Sequence, residues 1–233
     1  MKKIIVLLVI MLLYNCSEMN ELHQPYLDRG EQIYTEKALG LTAFSGKNRV
    51  ELKWVLLSDI SIRKARIIWE DKFDVKDSLD IDITVTSGIV ELYSKVIEGL
   101  EEGSYLFEVK TMDGFGNQSV PVTKIGKALG DIYLATLTNR QIASHVVDVD
   151  DIFAVEFEMS TNLPEDYIYS EFKYTNNNGE EATYTLPTDN LAGFSLDLSD
   201  IDITKNIFFR SVYLPFGNGI DLFYTDYEEY IID

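Results

Sequence analysis

An alternation of apolar and polar residues, repeated along its length, constrains this chain more than any other feature. In RVELKWV, Val50, Leu52 and Trp54 fall on one side, and Glu51 and Lys53 on the other. ARIIWED sets Ala65, Ile67 and Trp69 together, SLDIDITV sets Leu79, Ile81, Ile83 and Val85 together, and SYLFEVKT does so with Tyr105, Phe107 and Val109. The pattern returns at FAVEFEM, with Phe153, Val155, Phe157 and Met159, and at GFSLDL, with Phe194, Leu196 and Leu198. Period two belongs to strands with one buried and one wet face. Short strands separated by turn residues predict an all-β chain of two tandem β-sandwich domains.

The first half carries a sharper local pattern. Leu100 is followed by Glu-Glu-Gly-Ser and then by Tyr105, which opens a strand, while Trp54 sits on the second strand. These residues resemble the tyrosine corner and core tryptophan of fibronectin type III domains, and the resemblance implies that the Tyr105 phenol bonds back to the backbone where the chain crosses between sheets. Residues 38–126 are therefore expected to form a fibronectin type III-like sandwich. Residues 127–145, KALGDIYLATLTNRQIAS and its surroundings, read as a connector with about one helical turn. A second, acidic sandwich is expected over 146–233, with a hairpin at Asn178-Gly179, a strong turn signal. Phe115-Gly116-Asn117 and Phe216-Gly217-Asn218 lie 101 residues apart, each after a strand. Duplication of one sandwich and convergence on one turn both explain that pair.

The chain opens MKK and continues with the apolar run IIVLLVIMLLY. A basic start and a short apolar run make a signal-peptide pattern over 1–15, and the run falls short of the roughly 20 residues a spanning helix needs. Cys16 is the only cysteine. Leu13, Tyr14 and Asn15 before it resemble the cleavage box of bacterial lipoproteins, which implies lipid attachment at Cys16. Asn15 departs from the small residue usual there, in the looser form that Bacteroidetes lipoproteins resemble; a secreted chain with a free thiol is the alternative. Residues 16–37, polar and acidic, are expected to be a tether.

Beyond residue 15 the chain carries 18 basic and 39 acidic residues. That balance excludes a nucleic-acid partner, since phosphate binding needs a basic surface. Residues 128–233 hold 20 acids but only Arg140, Lys173, Lys205 and Arg210 as bases. The two halves therefore present different surfaces.

Little here points to catalysis. His23 and His145 lack metal-ligand spacing, and Gly193-Phe194-Ser195-Leu196-Asp197 is not a serine-nucleophile elbow. No cofactor is implied. Asp148, Asp150 and Asp151, or Asp197, Asp200 and Asp202, offer oxygens a calcium ion would take, without EF-hand spacing; at this acid content such clusters arise by chance, and most are solvated edges. Exposed aromatic rings stack on sugars, and among Tyr167, Tyr169, Tyr213, Phe216, Tyr224 and Tyr227 the ligand-binding candidates are Tyr167, Tyr169 and Phe216, with Tyr167 and Phe216 expected to be the most exposed. Asp77-Ser78-Leu79 resembles the short Bacteroidetes O-glycosylation motif, which would make Ser78 a modification site; a strand start is the other reading.

YLDRGEQIYTEKALGLTAFSGKNRVELKW and FFRSVYLPFGNGIDLFYTDY resemble an uncharacterised family of Bacteroidetes lipoproteins, domain of unknown function 4998. The resemblance implies an anchored β-sandwich protein and assigns no catalytic residue. The expectation is a non-catalytic, lipid-anchored outer-membrane protein, facing the surface or the periplasm. It would bind glycan for a polysaccharide-utilisation system; the alternative is an adhesion or protein-interaction module with an envelope protein as partner.

Overall fold

The computed structural model describes residues 33–57, 59–86, 89–147, 153–158, 164–187 and 200–232. Strands dominate these residues. The first seven are β1 (Leu39–Gly46), β2 (Arg49–Leu56), β3 (Ile62–Glu70), β4 (Lys76–Asp82), β5 (Glu91–Glu98), β6 (Gly103–Asp113) and β7 (Val122–Ala128). They form two antiparallel sheets of order β1-β2-β5 and β4-β3-β6-β7. The alternating residues face each other across the sandwich: Val50, Leu52 and Trp54 from one sheet meet Ala65, Ile67, Phe107 and Val109 from the other.

Tyr105 is buried and its hydroxyl donates to the Glu101 carbonyl at 2.9 Å. That is the backward bond expected from the sequence. Tyr105→Phe is expected to cost about 1 kcal/mol, the net worth of one such bond, with the fold intact; chemical denaturation measures it. The strand read through SLDIDITV ends early, at Asp82, yet Ile83 and Val85 are buried in the same core. Ile83 donates its N–H to Arg63 at 2.8 Å. The alternation marked burial there, whereas strand pairing stopped because the chain leaves one sheet for the other.

A single turn of helix, α1 (Asp131–Leu134), follows, and then β8 (Ile142–Val147), β9 (Phe153–Phe157), β10 (Tyr167–Thr175), β11 (Glu181–Pro187), β12 (Ile207–Tyr213), β13 (Phe223–Tyr224) and β14 (Glu228–Tyr230). The helical turn lies where the connector was expected. β8 begins inside that connector, because Ile142 to Val147 pair antiparallel with β9. A five-stranded sheet runs β11-β10-β12-β13, with β14 also on β12. Its inner face packs Phe172, Leu186, Ile207 and Phe209 against Phe153, Val155 and Phe157 of β9. The hairpin β10–β11 turns at Asn178-Gly179 as expected, with Gly179 at φ +79° and the Asn176 carbonyl accepting its N–H at 2.9 Å.

The two sandwiches meet at a polar junction. The Asp221 carboxylate accepts the Lys47 N–H and the Arg49 Nε–H, each at 2.8 Å, while Ile220 N–H donates to Ser45. A side chain on Gly46 would start 2.5 Å from Asp221 Oδ2, so only glycine admits this approach. The Arg49 hydrogen bond, above all, holds the Asp221 carboxyl below its ordinary value despite burial. A depressed folded value means that the stabilisation is present above the unfolded carboxyl range, near pH ~4, and is lost as the pH falls through the folded value. Asp221→Asn is therefore expected to melt a few degrees below the wild type at pH 7, with the gap closing under acid. Melting curves at both pH values check it.

Candidate functional site

Alternation along β10 sends Tyr169, Glu171 and Lys173 to the face opposite the core, and β12 sends Phe208 and Arg210 there. Register places Glu171 opposite Arg210 and Lys173 opposite Phe208. Arg210 Nη2 donates to both Glu171 carboxylate oxygens, at 2.9 and 3.1 Å. Its guanidinium carbon lies 4.3 Å from the Tyr224 ring centre and 4.5 Å from that of Tyr227. Tyr227 donates its hydroxyl proton to Glu171, and Lys173 Nζ sits 4.3 Å from the Tyr227 ring. Phe208, 42% exposed, and Tyr224, 37% exposed, open this arrangement to solvent. The result is a platform of aromatic rings threaded by one arginine.

Its charges are set by the packing. Burial raises the Glu171 carboxyl, but the bonds from Tyr227 and Arg210 outweigh it, and the group sits below its ordinary value. Burial and then the Glu171 bond push the Tyr227 phenol up to about 12. Tyr169 is raised as well, first by burial and then by its hydrogen bond with Tyr224. Across neutral pH Glu171 is thus a carboxylate, and Tyr169 and Tyr227 are neutral phenols.

The candidates named from sequence disperse. Tyr169 belongs to the platform. Tyr167 does not: it is 5% exposed, which overturns its expected exposure. It opens β10 beneath Tyr213, at 5.8 Å between ring centres, and its hydroxyl bonds with Ser170 Oγ at 2.8 Å. Together with Leu129 and Phe223 these rings form a small third core. Phe216 is 54% exposed. It stands at φ +54° on a short 3-10 turn (Pro215–Gly217) whose Phe216 N–H donates to Asp166 Oδ1 at 2.8 Å. A recess of about 300 Å³ lies beside it, lined in part by Ser45, Lys127 and Asn218. Ser78 is exposed on β4, and Asp77 Oδ1 accepts its N–H at 2.7 Å. Cys16 and the trio Asp148, Asp150 and Asp151 lie outside the described residues.

Of the second aspartate group, Asp197 lies outside the described residues; Asp200 accepts from the Tyr174 hydroxyl at 3.1 Å, while Asp202 closes its own turn with Thr204. Among the described residues no group of three or more His, Cys, Asp or Glu is placed to hold a metal, and no helix is long and apolar enough to cross a membrane. Sequence reasoning missed Glu171, Lys173, Phe208 and Arg210. The alternation of YSEFKYT places Glu171 and Lys173 on the Tyr169 face; only strand register brings Arg210 to them.

Strand order, tyrosine corner and buried Trp54 define the first sandwich as fibronectin type III-like, and the chain as a tandem of β-sandwiches. A family model described as DUF4998, a domain of unknown function, matches residues 16–223, and the chain belongs to that family. Among solved structures it is similar to a two-domain fibronectin type III segment of chicken tenascin, at TM-score 0.34 and 13% identity, covering 85% of this chain and 99% of that one. It is also similar to the chicken CNTN1 FN1–FN3 domains, at TM-score 0.42 and 11% identity, covering 86% of this chain and 68% of that one. A myokine structure aligns at TM-score 0.31 and 23% identity, over 40% of this chain and 97% of its own. No curated protein matches.

Proposed function

We propose that this protein is a non-catalytic binding module of the cell envelope, lipid-anchored through Cys16, that docks a protein partner on the outer face of β10 and β12. The observation that carries this reading is the platform of Tyr169, Phe208, Arg210, Tyr224 and Tyr227 around Glu171. Tyrosine and arginine dominate the energetic centres of protein interfaces. A sheet face whose rings already stack on a cation suits a protein surface better than a sugar chain, which seats beside ring faces left bare. Here Arg210 occupies one face of both Tyr224 and Tyr227. The excess of acid over base in residues 128–233 favours a partner with lysines and arginines around its contact, steered by charge.

The test is photo-crosslinking in the native envelope, with a photoreactive residue at Phe208 and, as control, at exposed Leu92 on the first sandwich. A discrete protein adduct at 208 alone is expected. With that partner purified, Tyr224→Ala is expected to weaken binding by about 2 kcal/mol, the scale of an interface anchor. Adducts spread equally over both positions would defeat this reading.

Glycan binding remains the second reading, favoured by exposed Phe216 beside a polar recess holding Lys127 and Asn218. It predicts saturable binding to a polysaccharide that Phe216→Ala abolishes and Tyr224→Ala leaves alone.

A further inference from the structure

Arg140 is 9% exposed, in the half of the chain poorest in bases. Its backbone is pinned, donating its N–H to Ser211 Oγ at 2.9 Å, while the next residue, Gln141, accepts the Glu158 N–H at 2.9 Å. The guanidinium carbon lies 4.2 Å from the centre of the Phe157 ring. Among the described residues no carboxylate pairs with it, and its buried Nε has no hydrogen-bond acceptor. A buried charge is stable only when paired or hydrogen-bonded, and one aromatic face compensates a part of its lost hydration.

The residue lines a recess of about 210 Å³ shared with Thr138, Asn139, Glu158 and Tyr213. Two of these neighbours are already engaged. Asn139 Oδ1 accepts from Ser211 N–H and from Thr225, and the Tyr213 hydroxyl donates to the Thr138 carbonyl at 2.5 Å. Glu158 is exposed, and its carboxylate forms no ion pair with the guanidinium. Arg140 is thus the one cationic side chain of the recess, and its donors are in excess.

We infer that this recess is a binding site for a single carboxylate group, taken by the Arg140 guanidinium. The planar fork of a guanidinium matches the two oxygens of a carboxylate. The recess is smaller than the roughly 300 Å³ at which small-molecule pockets begin, so it admits the acidic end of a ligand. Glu158 and the surrounding acid oppose multiply charged anions and select a monoanion. The site shares no residue with the platform of β10 and β12, so the two stand or fall separately.

Sodium glucuronate and N-acetylglycine, one a sugar acid and the other a peptide-like terminus, serve as probes. Sodium chloride at matched ionic strength and neutral methyl glucoside are the controls. Calorimetric titration of the protein is expected to show saturable binding of at least one acid and none of the glucoside. The acid that binds identifies the source. Arg140→Met is expected to weaken that binding about tenfold or more, the loss of a charge-assisted pair. Without ligand the same variant is expected to melt no lower than the wild type, because an uncompensated buried charge has gone. Arg140→Lys, which keeps the charge and loses the fork, is expected to bind weakly. Binding of neither acid above the chloride control overturns the inference, as does binding that survives in Arg140→Met. An Arg140→Met protein that melts well below the wild type without ligand also overturns it, since the guanidinium would then already be satisfied within the fold.

Discussion

Replacing Trp54 with alanine is expected to destabilise the first sandwich by about 3–5 kcal/mol, the range for truncating a large buried aromatic. Trp54 has no exposed surface, sits on β2 and stacks on Tyr93 at 6.0 Å between ring centres. Its void would open between two sheets kept apart by the surrounding buried side chains of both, so collapse around it is limited. Trp54→Phe separates volume from polarity. The indole Nε1–H is buried without a hydrogen-bond partner among the described residues. Phenylalanine removes that orphan donor as well as part of the volume, and the two effects oppose each other. Urea unfolding is expected to rank the wild type and Trp54→Phe close together, with Trp54→Ala far below. Equal losses in the two variants would show that the indole N–H, not the filled volume, holds the core.

Phe172→Ala is expected to have the larger consequence. Phe172 is fully buried on β10, with Phe157 and Phe209 each 6.1 Å away between ring centres. Among the described residues the cluster around it has 8 buried residues against the 17 around Trp54. A loss of about 3–5 kcal/mol is then comparable to the entire stability of a small unit, which is typically 5–15 kcal/mol. The second sandwich is expected to unfold at room temperature, while near-ultraviolet dichroism from Trp54 persists. Disappearance of both signals together would mean that the Arg49–Asp221 junction couples the two cores into one cooperative unit, contrary to this expectation.

Much of the strand content was legible because side-chain direction is local. Every second residue of RVELKWV, SYLFEVKT and FAVEF points the same way whatever the strand pairs with, and Val50, Phe107 and Phe153 are all buried. The tyrosine corner and the Asn178-Gly179 hairpin were legible for the same reason: each closes within a few residues. Tyr167 shows where such reasoning stops. Its neighbours in NLPEDYIY suggest a solvent-facing loop, yet Tyr213 and Phe223 cover it, and both are far along the chain.

By itself the sequence determined that this is an all-β chain, which residues face inward along most strands, and the contrast in charge between its halves. It also carries the apolar opening run and Cys16 on which the proposed anchoring rests. Only the tertiary structure decided that Glu171 and Arg210, 39 residues apart, form a pair, that two tyrosines enclose the arginine, and that Arg140 is buried without a counter-charge among the described residues. The physical reason is register. Alternation tells a strand which face to bury, but which residue lies opposite is settled by the combined burial and hydrogen bonding of several strands at once, and no single segment carries that information.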